Sequence, residues 1–403
     1  MPWRKEVLKE IKPSKKNELE LRKVANKIIN SIKIKNVKSV LGGSSAKGTW
    51  LKGNHDIDIY VKFDQKYYSG IDISEVLKKK IKKANVLHGS RDYFKLDVKG
   101  YDIELIPIMD IKKVEDADNI TDISPFHKKW VRKHKEYVND VRLAKAFAKA
   151  NGLYGAESYI KGFSGYALEV LTIYYGGFDK LIENVAKWKS KTVLDPENYH
   201  NGKVVLNKSK MFSPLIVVDP VQDTRNVAAV ISKEKYELFK KIAKKFLKSK
   251  NKAEFFIRDE FDLDLLKKKK GELICLEVLP LDGKRDVVGA KLLKSFDFIK
   301  KRLEENEFKV KKSGWHWEEK AILWFLLDKV ELSKEVKHYG PEIKSKERMK
   351  KFKAKWKDKK ILNEDGISYV IRDRNYMKAQ NLVLDLGEDS FVKNRVSKIL
   401  GFK

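Results

Sequence analysis

Apolar residues recur along this chain with two different periods, and the switches between them outline its elements. Leu21, Val24, Ile28 and Ile32 fall on one helical stripe, which predicts a helix over 14–35. Residues 37–41 then read as a strand end. Residues 56–62 alternate polar and apolar, so Asp56 and Asp58 share one face of a strand while Ile57, Ile59 and Val61 share the other. A helix is expected over 74–83 with Ser74 as its N-cap, then strands over 92–98 and 101–108 joined at Lys99-Gly100. Helical spacing returns over 141–150, with Asn139 and Asp140 as caps, over 161–175, and in a basic amphipathic segment over 232–250. From 253 the pattern mixes: strands over 255–257 and 273–279, a helix over 288–304, apolar runs at 308–311 and 315–327, a helix over 341–360, then mixed strand and helix to 403. This last region looks like α+β sandwiches of RRM or ferredoxin-like type, but the RRM's RNP1 sequence is absent, so base stacking on a sheet is not supported.

Composition narrows the partner. A chain of 403 residues predicts about two to four domains. Lys and Arg number 88 against 57 Asp and Glu, a formal charge of +31. That excess favours a polyanion, nucleic acid before membrane. A charge-dense thermophile-style surface would need Glu to match Lys, and here it does not. The single cysteine, Cys275, sits in an apolar run and reads as an inert core residue in a reducing compartment. The longest dense apolar run, 321–327, is far short of a membrane span, and the start of the chain lacks a long apolar segment. A soluble, cytoplasmic protein is expected, with no membrane partner and with its oligomeric state, a homodimer included, left open.

The candidate chemistry sits at 42–61. Two bare carboxylates, Asp56 and Asp58, on one strand face repel each other, and a divalent cation removes that cost. Upstream, a Gly-Ser turn offers backbone N–H groups at Gly43, the Ser44 hydroxyl and Lys47, all suited to an anion. An anion cradle followed by paired carboxylates reads as nucleoside triphosphate chemistry, although either feature alone also occurs in surface hairpins. A third acid is expected from a neighbouring strand, where Asp102 and Glu104 share a face and either could serve. Neither a P-loop nor a dinucleotide-binding glycine motif is present. In the C-terminal part, 344–360 holds ten Lys or Arg against two acids. Met349, Phe352 and Trp356 would pack inward there, leaving Lys350, Lys353 and Lys357 as a positive face for a phosphate backbone.

Gly43-Ser44, eleven residues, then Asp-Ile-Asp resembles the nucleotidyltransferase signature of the DNA polymerase β superfamily. That pattern frames its third acid as apolar, carboxylate, two apolar residues, Pro. Ile103-Glu104-Leu105-Ile106-Pro107 fits it and Asp102 does not. With Lys47-Gly48-Thr49-Trp50-Leu51 and Ser124-Pro125-Phe126-His127, the chain is similar to the archaeal-type (class I) CCA-adding enzymes, the tRNA nucleotidyltransferases. The resemblance implies an α+β multidomain fold. It comprises a polymerase β-like palm in a head over 1–138, a mostly helical neck over 139–255, a body over 256–305 joined again by 362–403, and a tRNA-binding tail over 306–361.

The resemblance also implies template-independent addition of C, C and A to tRNA from CTP and ATP. Two Mg²⁺ ions would be held by Asp56, Asp58 and Glu104. The triphosphate would meet Gly43, Ser44, Lys47, His127, Lys145 and Tyr154, and the base would meet Arg225. By periodicity alone Lys145 is a solvated helix residue, Tyr154 a cap contact and Arg225 a residue of a polar turn. Two departures from the family pattern stand out: Glu104 where Asp is usual, and Lys47 where Arg is usual. The rival readings are another RNA-extending enzyme of the superfamily, such as a poly(A) polymerase or an oligoadenylate synthase, and a catalytically silent RNA-binding protein.

Overall fold

Strand β2, Asp56–Asp64, organises the first half of the chain, and its burial follows its sequence. Ile57, Ile59, Val61 and Phe63 are fully buried. The alternate positions carry the acids, Tyr60 and Lys62. The computed structural model describes residues 2–54, 56–81, 84–258 and 261–403. The chain forms two units, Met1–Asp259 and Glu260–Lys403.

In the first unit, helix α1 (Pro2–Ile11) precedes α2 (Lys15–Ser31), which starts at a reciprocal cap between Ser14 and Asn17. Strand β1 (Val37–Leu41), a five-residue helix α3 (Gly43–Lys47) and β2 follow. Then come α4 (Ile73–Lys78), β3 (Asn85–Leu87), β4 (Tyr93–Val98) and β5 (Tyr101–Asp110). The strands form one sheet in the order β1-β2-β5-β4-β3, with β2 and β5 parallel. Leu21 and Ala25 of α2 pack with Ile57, Ile59, Ile103 and Leu105, covering the apolar face and leaving the acids on the other.

Helix α4 is shorter than expected, and its cap is Asp72, whose carboxylate accepts from the Ser74 and Glu75 N–H groups. Ser74 instead donates to the Asp92 carbonyl. Residues 82 and 83, the end of the expected helix, and His55 lie outside the described residues.

The rest of this unit is mostly helical. Helix α5 (Ser124–Lys133) leads to α6 (Val138–Ala150), α7 (Gly165–Tyr174) and α8 (Phe178–Val185). A small sheet of β6 (Thr192–Leu194), β7 (Leu215–Asp219) and β8 (Gln222–Asn226) precedes α9 (Lys233–Lys248). Neither Asn139 nor Asp140 caps α6, which begins at Val138. Asp140 accepts from Arg4 at 2.8 Å and from the Phe178 N–H at 2.9 Å. The expected boundary at 138 therefore misplaces α1. Trp3 meets Phe178 and Phe246 edge-on and Val7 is buried in the same helical core. Residues 253–256 form a helical turn in place of the expected strand, because Phe255 and Phe256 pack on Phe147.

The second unit contains β9 (Glu272–Leu279), α10 (Arg285–Glu305), β10 (Val310–Trp317) and β11 (Ala321–Leu327). After β12 (Glu335–Glu342), α11 (Lys346–Lys355), β13 (Leu362–Glu364) and β14 (Ile367–Asp373) come α12 (Ala379–Glu388) and β15 (Lys398–Phe402). The antiparallel sheet order β10-β11-β9-β15, with α10 and α12 packed on it, is a ferredoxin-like βαββαβ arrangement. The sheet β12-β14-β13 with α11 is inserted between its third strand and second helix. Strand β11 thus pairs with the body strand β9 and β10 pairs with β11, so the expected tail boundary at 306 leaves both on the wrong side of that sheet. The expected helix over 341–360 also shortens to Lys346–Lys355, because β12 takes its first residues into the inserted sheet. Cys275 is buried in β9, and burial pushes its thiol up to about 11, the state of an inert core residue.

Candidate active site

The parallel register of β2 and β5 sets Asp58 opposite Glu104 and Asp56 opposite Asp102. All four acids therefore lie on one face. Their charges act on each other. Burial, then Asp58 and Asp56, push the Glu104 carboxyl up to about 7. Burial, then Asp56, also raise Asp58. Asp102 differs, since Lys95 of β4 stands 3.0 Å from it. Among the described residues, no three His, Cys, Asp or Glu side chains are gathered closely enough to hold an ion as they stand. The acids share a face without closing into a ready ligand set, as like charges do.

The expected Gly-Ser turn is the short helix α3, ended by Gly48 in the left-handed region at φ +76°. Gly43 opens it at φ +53°, and a Cβ there would lie 1.6 Å from Asp58 Oδ2. Only glycine lets the backbone approach that carboxylate. The Gly43 N–H points to the Tyr60 hydroxyl at 3.4 Å, so it is not a free anion donor. Ser44 is half-buried beside it.

Lys47 and Lys145 meet on a carboxylate that the sequence pattern did not single out. Glu169, on α7, is 1% exposed. Its Oε2 accepts from Lys47 Nζ at 2.8 Å, and its Oε1 accepts from Lys145 Nζ at 2.7 Å and from the Thr49 hydroxyl at 2.6 Å. Burial alone would raise this carboxyl, but the two ammonium groups overcome it and hold it at about 2. Lys145 is buried rather than solvated, because α6 turns it into the interface between sheet and helices. Gly165 makes room there, since a Cβ on it would lie 2.9 Å from the Tyr154 hydroxyl and 3.5 Å from Lys145 Cε. Burial, ahead of the charges of Glu169, Glu157, Asp56 and Asp58, pushes the Tyr154 phenol up to about 12, so it is a donor at neutral pH.

His127 and Arg225 gather on a second such carboxylate, Asp219, which is fully buried. Asp219 Oδ2 lies 3.0 Å from His127 Nε2 and 2.7 Å from Arg225 Nη1. Its Oδ1 accepts from the Tyr166 hydroxyl at 2.9 Å and the Val221 N–H at 3.0 Å. Burial raises Asp219, yet His127, Arg225 and the Val221 N–H outweigh it, so the carboxylate is ionised. Burial keeps His127 below its ordinary value, so it is neutral and its Nε2 proton goes to Asp219. Arg225 lies on β8, not on a polar turn. The Tyr166 ring packs tilted against His127, centroids 4.1 Å apart, and carries Lys47 Nζ 4.9 Å from its centroid, so the two carboxylate hubs are joined. A signal was present: Glu169 and Asp219 are isolated acids within otherwise apolar runs, and buried charges are paired.

In the second unit, Met349 and Phe352 are buried, Trp356 is half-buried at the end of α11, and Lys350 and Lys353 are exposed. Lys357 is exposed in the turn after the helix.

Three family models match in series. A nucleotidyltransferase domain covers 21–137, the second domain of tRNA nucleotidyltransferase covers 139–257, and the C-terminal domain of CCA-adding enzyme covers 282–399. The chain is 38% identical over 347 residues to the CCA-adding enzyme of Nanoarchaeum equitans, spanning 83% of this chain and 84% of the relative. It is 32% identical over 406 residues to that of Methanocaldococcus jannaschii, spanning 95% and 89%. Among solved structures, the Cid1 poly(U) polymerase with its product ApU superposes with a TM-score of 0.51 at 16% identity. It covers 64% of this chain and 98% of that one. This last likeness concerns the polymerase β-like fold alone.

Proposed function

The chain belongs to the family of archaeal CCA-adding enzymes, and we propose that it adds C, C and A to the 3′ end of tRNA from CTP and ATP. The observation that carries the site assignment is the register that sets Asp58 opposite Glu104, with Gly43 packed on Asp58. The enzyme is a tRNA nucleotidyltransferase. The rival poly(A) or oligoadenylate activities have no counterpart in the tRNA-specific and CCA-specific domain matches over 139–399.

Asp56, Asp58 and Glu104 fit a divalent metal. They are oxygen donors on one face, and burial together with the neighbouring charges of Asp58 and Asp56 raises the Glu104 carboxyl, a strain that a cation there would relieve. Asp102 is the weaker candidate because Lys95 already pairs with it. Mg²⁺ held there would supply activation of the tRNA 3′-OH and neutralisation of the leaving pyrophosphate.

The chain's own groups do the rest. Lys47 and Lys145 bring two positive charges to the acid face, where both act on Asp58. Glu169 orients them, and its single negative charge leaves the pair with a net positive charge for triphosphate oxygens. The Tyr154 hydroxyl and Ser44 are donors at the same margin. Asp219 holds Arg225 by one guanidinium nitrogen and leaves the rest of the fork for the nucleotide base. Lys350, Lys353 and Lys357 are assigned to tRNA phosphates.

The test is incubation of tRNA lacking its 3′ end with CTP, ATP or both. CTP alone should add two residues, and both nucleotides should add three and stop. Extension by ATP alone into a long tract would overturn the assignment.

A further inference from the structure

Three adjoining cavities of about 420, 290 and 480 Å³ form a groove around the β1 end of the sheet, where α2, α3 and α5 meet. The first two share Arg22, Leu41, Ser45 and Gly48, and the last two share Lys128 and Arg132. None of Asp56, Asp58, Asp102 or Glu104 lines it. With shared residues counted once, its walls carry ten Lys or Arg against two carboxylates, Glu18 and Glu136. The whole chain has 88 against 57, so the excess here is local.

Two of the ten are paired, Lys47 with Glu169 at 2.8 Å and Lys62 with Asp110 at 2.6 Å, and the charge on α5 is left unbalanced at a cost. On α5, Lys128 and Arg132 stand one turn apart, and so do Lys129 and Lys133, each a like-charge pair that weakens a helix. The C-terminal end of the helix dipole offsets this for Arg132 and Lys133 alone. Lys128 donates to the Leu41 carbonyl at 2.9 Å and pairs with no carboxylate among the described residues. Burial, Arg132 and Lys62 together pull its ammonium below the ordinary value.

At the other end of the groove, Arg142 as a residue is 4% exposed. Its Nε donates to the Trp50 carbonyl at 3.1 Å and its Nη1 to Asn139 Oδ1 at 2.9 Å. No described carboxylate forms an ion pair with it. A charge buried to that degree is normally matched by an opposite one.

We propose that this groove binds the phosphate backbone of RNA, at a site that adjoins the acid face but has none of the four acids in its walls. Its shape says which part of the RNA is read. The aromatic residues in its walls, Trp50 and Tyr60, are 6% and 8% exposed, so no ring is offered for base stacking. Contact is therefore with phosphates and independent of sequence. A string of cations through linked cavities suits a polyanion rather than one small anion.

The test uses the full chain with Arg22→Gln, Lys128→Gln and Arg132→Gln combined, and follows binding of tRNA lacking its 3′ end across a salt titration. Each phosphate no longer neutralised should weaken binding about five- to eightfold at ~0.1 M salt and flatten the log–log slope by ~0.7 to 0.9. The melting temperature should hold or rise, because repulsion on α5 is relieved. Turnover at saturating tRNA should be unchanged, so the proposal can fail while the assignment of function stands. The companion Arg22→Lys, Arg132→Lys variant should keep the wild-type slope, since phosphate contact needs charge. Parallel slopes and equal affinity for the Gln variant would overturn the proposal. So would a wild-type melting temperature raised by inorganic pyrophosphate, and not raised in the Gln variant, with unchanged RNA slopes. That result would mean the groove holds a free anion.

Discussion

Lys47 Nζ lies 2.8 Å from Glu169 Oε2, although 122 positions separate the two residues in the chain. Through this contact a helix beside the acid strand is tied to the helical half of its unit. Replacing Glu169 by Gln leaves Lys145 buried without its counter-charge, and should destabilise the protein by about 3 to 5 kcal/mol. Denaturant melts would measure it. The pH dependence has a definite sign. Glu169 is held at about 2 from an ordinary 4.5, so its stabilising effect is full above about 4.5 and is lost as pH falls toward 2. The Gln variant should lack that part of the acid limb.

Glu104 and Asp102 are separated by their partners. Glu104→Gln should slow nucleotide addition by about a hundred- to a thousandfold. Asp102→Asn, which frees Lys95, should have a far smaller effect. Single-turnover rates decide, and the reverse ranking would move the third acid to Asp102.

Gly43→Ala would place a methyl group on the Asp58 carboxylate at a backbone angle that alanine avoids. Addition should fall about a hundredfold through displacement of Asp58. Affinity for tRNA should be nearly unchanged, and filter binding beside a rate assay would show both.

Asp219→Asn should release Arg225 and His127 together. The KM for CTP and ATP should rise about tenfold or more, with a smaller change in kcat. A matched fall in kcat with KM unchanged would assign Asp219 to the fold rather than to nucleotide binding.

Neutralising Lys350, Lys353 and Lys357 should weaken tRNA binding whatever its sequence and flatten the salt slope by ~0.7 to 0.9 for each phosphate released. Addition to a short primer at saturating concentration should hold. Equal affinities and parallel slopes would leave this face solvated.

Local order was written in the chain. Alternation alone put Asp56 and Asp58 on one face and Ile57, Ile59 and Val61 on the other, because side-chain direction in a strand depends only on the neighbouring positions. The glycine at 43, the family and the two groups of acids were legible for the same local reason. What lay beyond was pairing. The sequence showed Glu104 but not that Asp58 faces it, since the register of β2 with β5 is set by packing against α2. It showed Lys145 on a helix and gave no sign that the helix would bury it. It showed His127 and Arg225 without Asp219, from which they stand 92 and 6 positions away. It read 306–327 as tail, where the pairing of β11 with β9, and of β10 with β11, makes most of that segment body. Short-range periodicity fixes which way a side chain faces. Which charge meets it there depends on bringing distant segments together, and burial then makes that one meeting strong.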